Sequence, residues 1–98
     1  MDLARDAAFA TAPPAWFLAL RQTAGRGRQG RRWTSDPDNF AASAVIDPQA
    51  GPAEAALRSF TTALALRDAL IAEGVRDNAI SLKWPNDVLL DGAKLAGI

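Results

Sequence analysis

Gln22-Thr23-Ala24-Gly25-Arg26-Gly27-Arg28-Gln29-Gly30-Arg31-Arg32-Trp33 is the stretch on which the reading of this chain turns. Five of the eleven Lys and Arg residues, Arg21, Arg26, Arg28, Arg31 and Arg32, lie within or beside it. Gly25, Gly27 and Gly30 let the main chain approach a ligand with no Cβ in the way. Each arginine adds a planar fork of donors matched to carboxylate and phosphate oxygens. The segment therefore reads as a loop able to wrap an anion. The same residues also suit a solvated Arg/Gly linker, or a nucleic-acid contact, since arginine-rich loops bind phosphate backbones and can enter a narrow minor groove. The charge balance weighs against the last: 11 cationic and 11 acidic side chains leave a net charge of zero. Positive charge gathered in one place of a neutral chain suits a compact anion pocket, not a long phosphate-tracking surface.

Outward from this loop, Trp16 to Leu20 is an apolar run of strand length, and Phe40 to Ile46 a second one bounded by Asp47-Pro48. Ser35-Asp36-Pro37-Asp38-Asn39 is a turn cluster between them. The two strands bracket the loop and place it at a strand's C-terminal end, where α/β sheets hold ligands. Upstream, Thr11 to Pro14 is a break, because Pro13 and Pro14 lack amide donors. Residues 2–10 have the composition of a short surface helix, with Leu3, Ala7 and Ala10 on one side.

Downstream, Gln49 to Pro52 forms a turn, and Pro52 suits the first positions of a helix. The helix is expected to run to about Glu73, with Gly74 as its stop. Leu57, Phe60, Ala63, Leu64, Leu70 and Ile71 would form its apolar face, packed on a sheet, with Arg58, Thr61, Thr62, Asp68 and Ala72 opposite. Ile80 to Trp84 reads as a strand with alternation, Pro85-Asn86-Asp87 as a tight break, and Val88 to Leu90 as another strand. Asp91-Gly92 is a two-residue hairpin signal leading into Lys94 to Ile98. The fold class is α/β in the broad sense: a mixed sheet with flanking helices.

Length and composition set outer limits. A chain of 98 residues is at most one domain. It contains no cysteine, so disulfides, thiolate nucleophiles and cysteine-type zinc sites are excluded, and no histidine, the commonest general base. Chemistry here must run on Arg, Lys, Asp, Asn and backbone amides. No apolar run approaches the roughly 18 residues needed to cross a bilayer, and the N-terminus lacks a signal-peptide layout, so a cytoplasmic protein with no membrane partner is expected.

A second cluster stands at Lys83-Trp84-Pro85-Asn86-Asp87, with Lys94 arriving across the hairpin. Alternation sets Lys83 opposite Leu82 and Trp84. The plain reading is a lysine on the wet face of a strand beside an Asn-Asp turn; the functional reading is a cation and two side-chain oxygens at a ligand site. Taken together, Gln22 to Trp33, Lys83 to Asp87, and Lys94-Leu95-Ala96-Gly97-Ile98 resemble, in order and spacing, the signature of the biotin protein ligase family.

That resemblance implies the catalytic fold shared with class II aminoacyl-tRNA synthetases and lipoate ligases. It also implies a two-step reaction in which biotin and ATP form biotinyl-5′-adenylate, whose acyl group passes to a lysine of a biotin carboxyl carrier protein. On this reading Gly25, Arg26, Gly27, Arg28 and Arg31 belong to the loop over biotin and the adenylate, with Arg28 as the main phosphate contact. Gln22 would hydrogen-bond the ligand and Trp33 would wall the valeryl chain. Lys94 would meet the biotin carboxylate and then the acyl-phosphate, by charge and not as a nucleophile. Lys83, Asn86 and Asp87 would line the ATP side, and Asn86 or Asp87 could orient the Mg²⁺ that accompanies ATP, Asp87 being the carboxylate of the two. A homodimer is compatible with the family.

The family usually carries a Ser-Thr-Asn-like biotin-binding segment before its first helix, whereas this sequence opens at Met1-Asp2 where that segment would end. Neither the small C-terminal β domain nor the winged-helix DNA-binding domain of repressor-type members is represented. Residues 1–98 are thus expected to be part of a catalytic domain from a longer protein. The alternatives are a lipoate- or octanoate-type acyl ligase and a non-enzymatic nucleic-acid-binding Arg/Gly module.

Overall fold

The computed structural model describes residues 12–47 and 49–98. The expected helix over residues 2–10 lies outside them. The chain divides into two compact units, one ending at residue 48 and the other beginning at residue 49.

In the first unit, strands β1 (Ala15–Ala19) and β2 (Ala41–Val45) pair antiparallel. Both lie within a residue or two of their predicted positions, because apolar runs ended by turn-forming residues mark strands strongly. Their register sets large residues against small ones, Trp16 opposite Ala44 and Leu18 opposite Ala42. Trp16, Leu18, Leu20 and Phe40 are all exposed.

The second unit begins with one helical turn, α1 (Pro52–Ala55), with Pro52 in its first turn, followed by the longer helix α2 (Arg58–Ala72). The single expected helix is therefore interrupted at Ala56 and Leu57. Its far end matches expectation. Gly74 has φ 95°, its amide donates to the Ile71 carbonyl at 2.9 Å, and the Val75 amide donates to the Leu70 carbonyl at 2.9 Å. This pair of bonds is a Schellman cap, which needs a left-handed residue and so favours glycine.

The inward face of α2 differs from the expected stripe. Ala63 is buried, and Phe60, Leu66, Leu70 and Ile71 are half-buried, but Leu57 and Leu64 are exposed. At about 100° per residue, Leu64 points about 100° away from Ala63, whereas Phe60, Leu66 and Leu70 lie within about 60° of it. Centring the face on Ala63 therefore brings Leu66 in and turns Leu64 out. Arg67, half-buried on the inward side, pairs with Asp68 at 3.1 Å and with Asp77 in the turn before the next strand.

Strands β3 (Ile80–Lys83), β4 (Asp87–Leu90) and β5 (Ala93–Gly97) form an antiparallel sheet with β4 in the middle. Asp91 and Gly92 join β4 to β5 with φ 48° and 80°, the sign pattern of the type I′ turn that Asp-Gly favours. Side chains alternate between two faces. One carries Ile80, Leu82, Val88, Leu90, Ala93 and Ala96, and α2 packs against β4. Val88 has no exposed surface at all; it is the centre of this unit. The other face carries Ser81, Lys83, Asp87, Leu89 and Gly97. The molecule thus combines helix with two small antiparallel sheets, a mixed α/β architecture as expected.

Candidate functional site

Between β1 and β2 the arginine-rich stretch is an ordered ribbon. The Trp33 amide donates to the Gly25 carbonyl at 2.9 Å and the Gly27 amide to the Arg31 carbonyl at 2.7 Å. These two bonds flank Arg26 and Arg32, which form an antiparallel bridge. At the tip, Gln29 (φ 61°, ψ 25°) and Gly30 (φ 72°) are both left-handed, and the Arg31 amide points back to the Arg28 carbonyl at 3.5 Å. Of these two, glycine takes this region without cost and glutamine does so at some expense.

Gly25 is required for a different reason. A Cβ there would sit 2.7 Å from the Trp33 carbonyl oxygen and 3.0 Å from the Gln22 side chain. The base of the ribbon closes only because that position has no side chain. Gln22 is braced in turn by Ser35, whose hydroxyl donates to Gln22 Oε1 at 3.0 Å. Gln22, assigned from sequence to the ligand, therefore also holds the two ends of the loop together.

Arg26 and Arg32 face each other at a position flanked by, not joined by, ladder hydrogen bonds. Such pairs have the shorter Cα separation, about 4.5 Å, and the closer side chains. Like charges directly opposite one another are destabilising. Arg26, Arg28, Arg31 and Arg32 are all exposed, and no carboxylate among the described residues of this unit forms an ion pair with them. The ribbon is a preformed cationic surface. The sequence counts Arg32 among the cations of the loop but gives it no ligand role; only the ribbon register sets it against Arg26.

The second cluster lies on the polar face of the three-stranded sheet. Lys83 and Asp87 are cross-strand partners, as are Asp87 and Gly97. Trp84, Pro85 and Asn86 make the turn between β3 and β4, with a cis peptide bond before Pro85 and Trp84 exposed. Asn86 grips Ile98 twice: its carbonyl accepts from the Ile98 amide at 2.8 Å, and its side-chain amide donates to the Ile98 carbonyl at 3.1 Å. Its amide thus ties the end of β5 to the turn.

Lys94 Nζ lies 2.7 Å from Asp87 Oδ1. Asp87 is half-buried, its side chain only 19% exposed, whereas Lys94 is exposed. Among the described residues, no group of three or more His, Cys, Asp or Glu side chains converges as a metal site. Asp87, the candidate magnesium ligand, already directs one oxygen at an ammonium. The described residues of this cluster therefore do not build a metal cage. The structure gathers Gln22, Gly25, Arg26, Gly27, Arg28, Arg31 and Trp33 on the ribbon, and Lys83, Asn86, Asp87 and Lys94 at one face and edge of the sheet.

No helix among the described residues is long and apolar enough to cross a membrane. The sequence model of the biotin/lipoate A/B protein ligase family matches residues 10–98. A Paracoccus denitrificans protein named as a biotin ligase for acetyl-CoA-carboxylase is 52% identical over 84 residues, 86% of this chain and 35% of that protein. A Mycobacterium tuberculosis protein of the same name is 42% identical over 106 residues, covering 98% and 37% of the two chains. The bifunctional ligase/repressor BirA of Escherichia coli K12 is 38% identical over 82 residues, covering 83% and 25%. The chain therefore spans about a quarter to just over a third of the length of these relatives. With its family signature placed on an anion-ready ribbon and a lysine-bearing sheet face, the chain belongs to the biotin/lipoate A/B protein ligase family.

Proposed function

We propose that this chain contributes the substrate-activating part of a biotin protein ligase. The reading is supported above all by the ammonium of Lys94, held on a polar sheet face by Asp87 at 2.7 Å, within a family whose similar members are named as biotin ligases. In the reaction, a biotin carboxylate oxygen bonds to the α-phosphorus of ATP as the bond to the β-phosphate oxygen breaks, releasing pyrophosphate. A lysine amine of a biotin carboxyl carrier protein, such as that of acetyl-CoA carboxylase, then attacks the acyl carbon. AMP leaves and the amine loses a proton.

The first step drives one anion onto another, so its barrier falls when fixed cations neutralise charge developing on phosphoryl oxygens. Arg28 and its neighbours on the ribbon would supply that charge to the phosphate, and Lys94 would supply it to the acid. Lys83 would line the nucleotide side. Trp33 would cover the apolar chain, keeping water from a reactive mixed anhydride. Magnesium would arrive on the phosphates of ATP, and no step is assigned to it. The reaction belongs to the cytoplasm, where ATP and carrier proteins are found, and a homodimer is compatible with it.

Incubating the chain with biotin and α-labelled ATP tests the proposal directly. The expected result is labelled biotinyl-adenylate that depends on biotin, with biotin binding seen by isothermal titration. Adenylate formed with lipoate or octanoate in place of biotin would shift the assignment to the lipoate-type ligases. Absence of both biotin binding and adenylate would refute it.

A further inference from the structure

Strict alternation from Asp87↔Gly97 and Val88↔Ala96 would pair Leu89 with Leu95 and Leu90 with Lys94. That register would send the Lys94 side chain to the apolar face that carries Val88. The observed register is different: Leu89 pairs with Lys94 and Leu90 with Ala93, with a shift between Val88 and Leu89. Leu95 is the extra residue of a β-bulge. One inserted residue reverses the parity of the strand and turns Lys94 onto the face of Asp87 and Lys83.

Two features then agree on one place for the ammonium. The bulge selects the face. Asp87 Oδ1 holds Nζ at 2.7 Å. Gly97, opposite Asp87, lies beside the end of the lysine. A lysine stem has several rotatable bonds and gains little precision unless its neighbours restrict it.

We propose that Asp87 and the Leu95 bulge form a positioning device for the Lys94 ammonium. Asp87 is its positioning residue, a resident carboxylate that keeps the lysine aimed where a substrate carboxylate is to be received. The role of the device in catalysis rests on the reading of Lys94 given above; its role in placing the ammonium does not.

The variant Asp87→Asn, with Asp87→Glu as its conservative counterpart, tests it on the whole chain, with circular dichroism to establish folding. Asparagine keeps the shape of the side chain and removes its charge. The first readout is the position of Lys94, followed by NMR of ¹³C-labelled lysine. The second is affinity for biotin compared with biotin amide, which lacks the acid. Asp87→Asn is expected to move the Lys94 signals and to weaken biotin on the order of 10- to 100-fold, the usual scale for displaced binding groups. Biotin amide should be nearly unaffected, and Asp87→Glu should restore part of the loss in biotin affinity. Unchanged Lys94 signals in folded Asp87→Asn would overturn the proposal, as would equal losses for biotin and its amide. If the unaltered chain binds no biotin, the functional reading fails and the NMR arm alone decides the positioning device: moved signals support it and unmoved signals overturn it.

Discussion

The two hairpin systems of this molecule hold their cations in opposite ways. On the ribbon from Gly25 to Trp33, Arg26 and Arg32 stand directly opposed, and no carboxylate among the described residues of that unit forms an ion pair with them. On the sheet from Ile80 to Gly97, Lys94 is directed by a neighbouring carboxylate. The supporting structure differs as well. The ribbon is shaped by backbone hydrogen bonds and a glycine at which a Cβ would meet a backbone oxygen, whereas the sheet rests on a buried Val88 beneath a helix. A surface that must accept a multiply charged anion benefits from unmet charge, since the ligand relieves the repulsion. A group that must meet a single acid benefits from exact placement, and a resident carboxylate provides that.

The comparison would be broken most decisively at Lys94. Lys94→Met retains the stem and removes the charge, and adenylate formation should fall on the order of 10²- to 10³-fold, the cost of losing one well-placed charge-stabilising donor. A single-turnover assay with labelled ATP measures it, and a fall below threefold would remove Lys94 from the chemistry. Gly25→Ala comes next, because its Cβ would meet the Trp33 carbonyl oxygen at 2.7 Å. The ribbon base should be destabilised by about 2–3 kcal/mol, in the range of overpacking, while the sheet keeps its protection. Hydrogen exchange at the Gly27 and Trp33 amides reports the loss, and unchanged protection there would show that the base can shift.

Val88→Ala probes the other support. Deleting two fully buried methyl groups should cost about 2 kcal/mol in global stability, counting transfer and the residual cavity. Chemical denaturation measures this, and an unchanged stability would show that Val88 is not the centre of this unit. The smallest effect is expected at Arg32. Arg32→Ala removes one of two opposed cations and should stabilise the ligand-free ribbon by about 0.5 kcal/mol, while weakening its affinity for pyrophosphate. A ribbon less stable after that change would mean that the two guanidinium groups do not repel.

Much of this was legible in the residues themselves. Asp91-Gly92 and Gly74 announced their turns because few residues accept positive φ, and the apolar runs announced their strands. The family signature located both clusters by identity and order. The chain alone could not say which residues face each other. An alternating pattern fixes faces only relative to a register, and the extra residue Leu95 reverses that parity without any mark of its own. The same holds for Leu66 replacing Leu64 on the inner side of α2, which depends on where Ala63 meets the sheet, and for Arg32 opposite Arg26, which depends on how the ribbon closes. Local chemistry is encoded residue by residue, so the sequence determined the turns, strands and charged motifs. Apposition arises from pairing between distant segments, so the aim of Lys94 and the opposition of the two arginines were decided only by the tertiary structure.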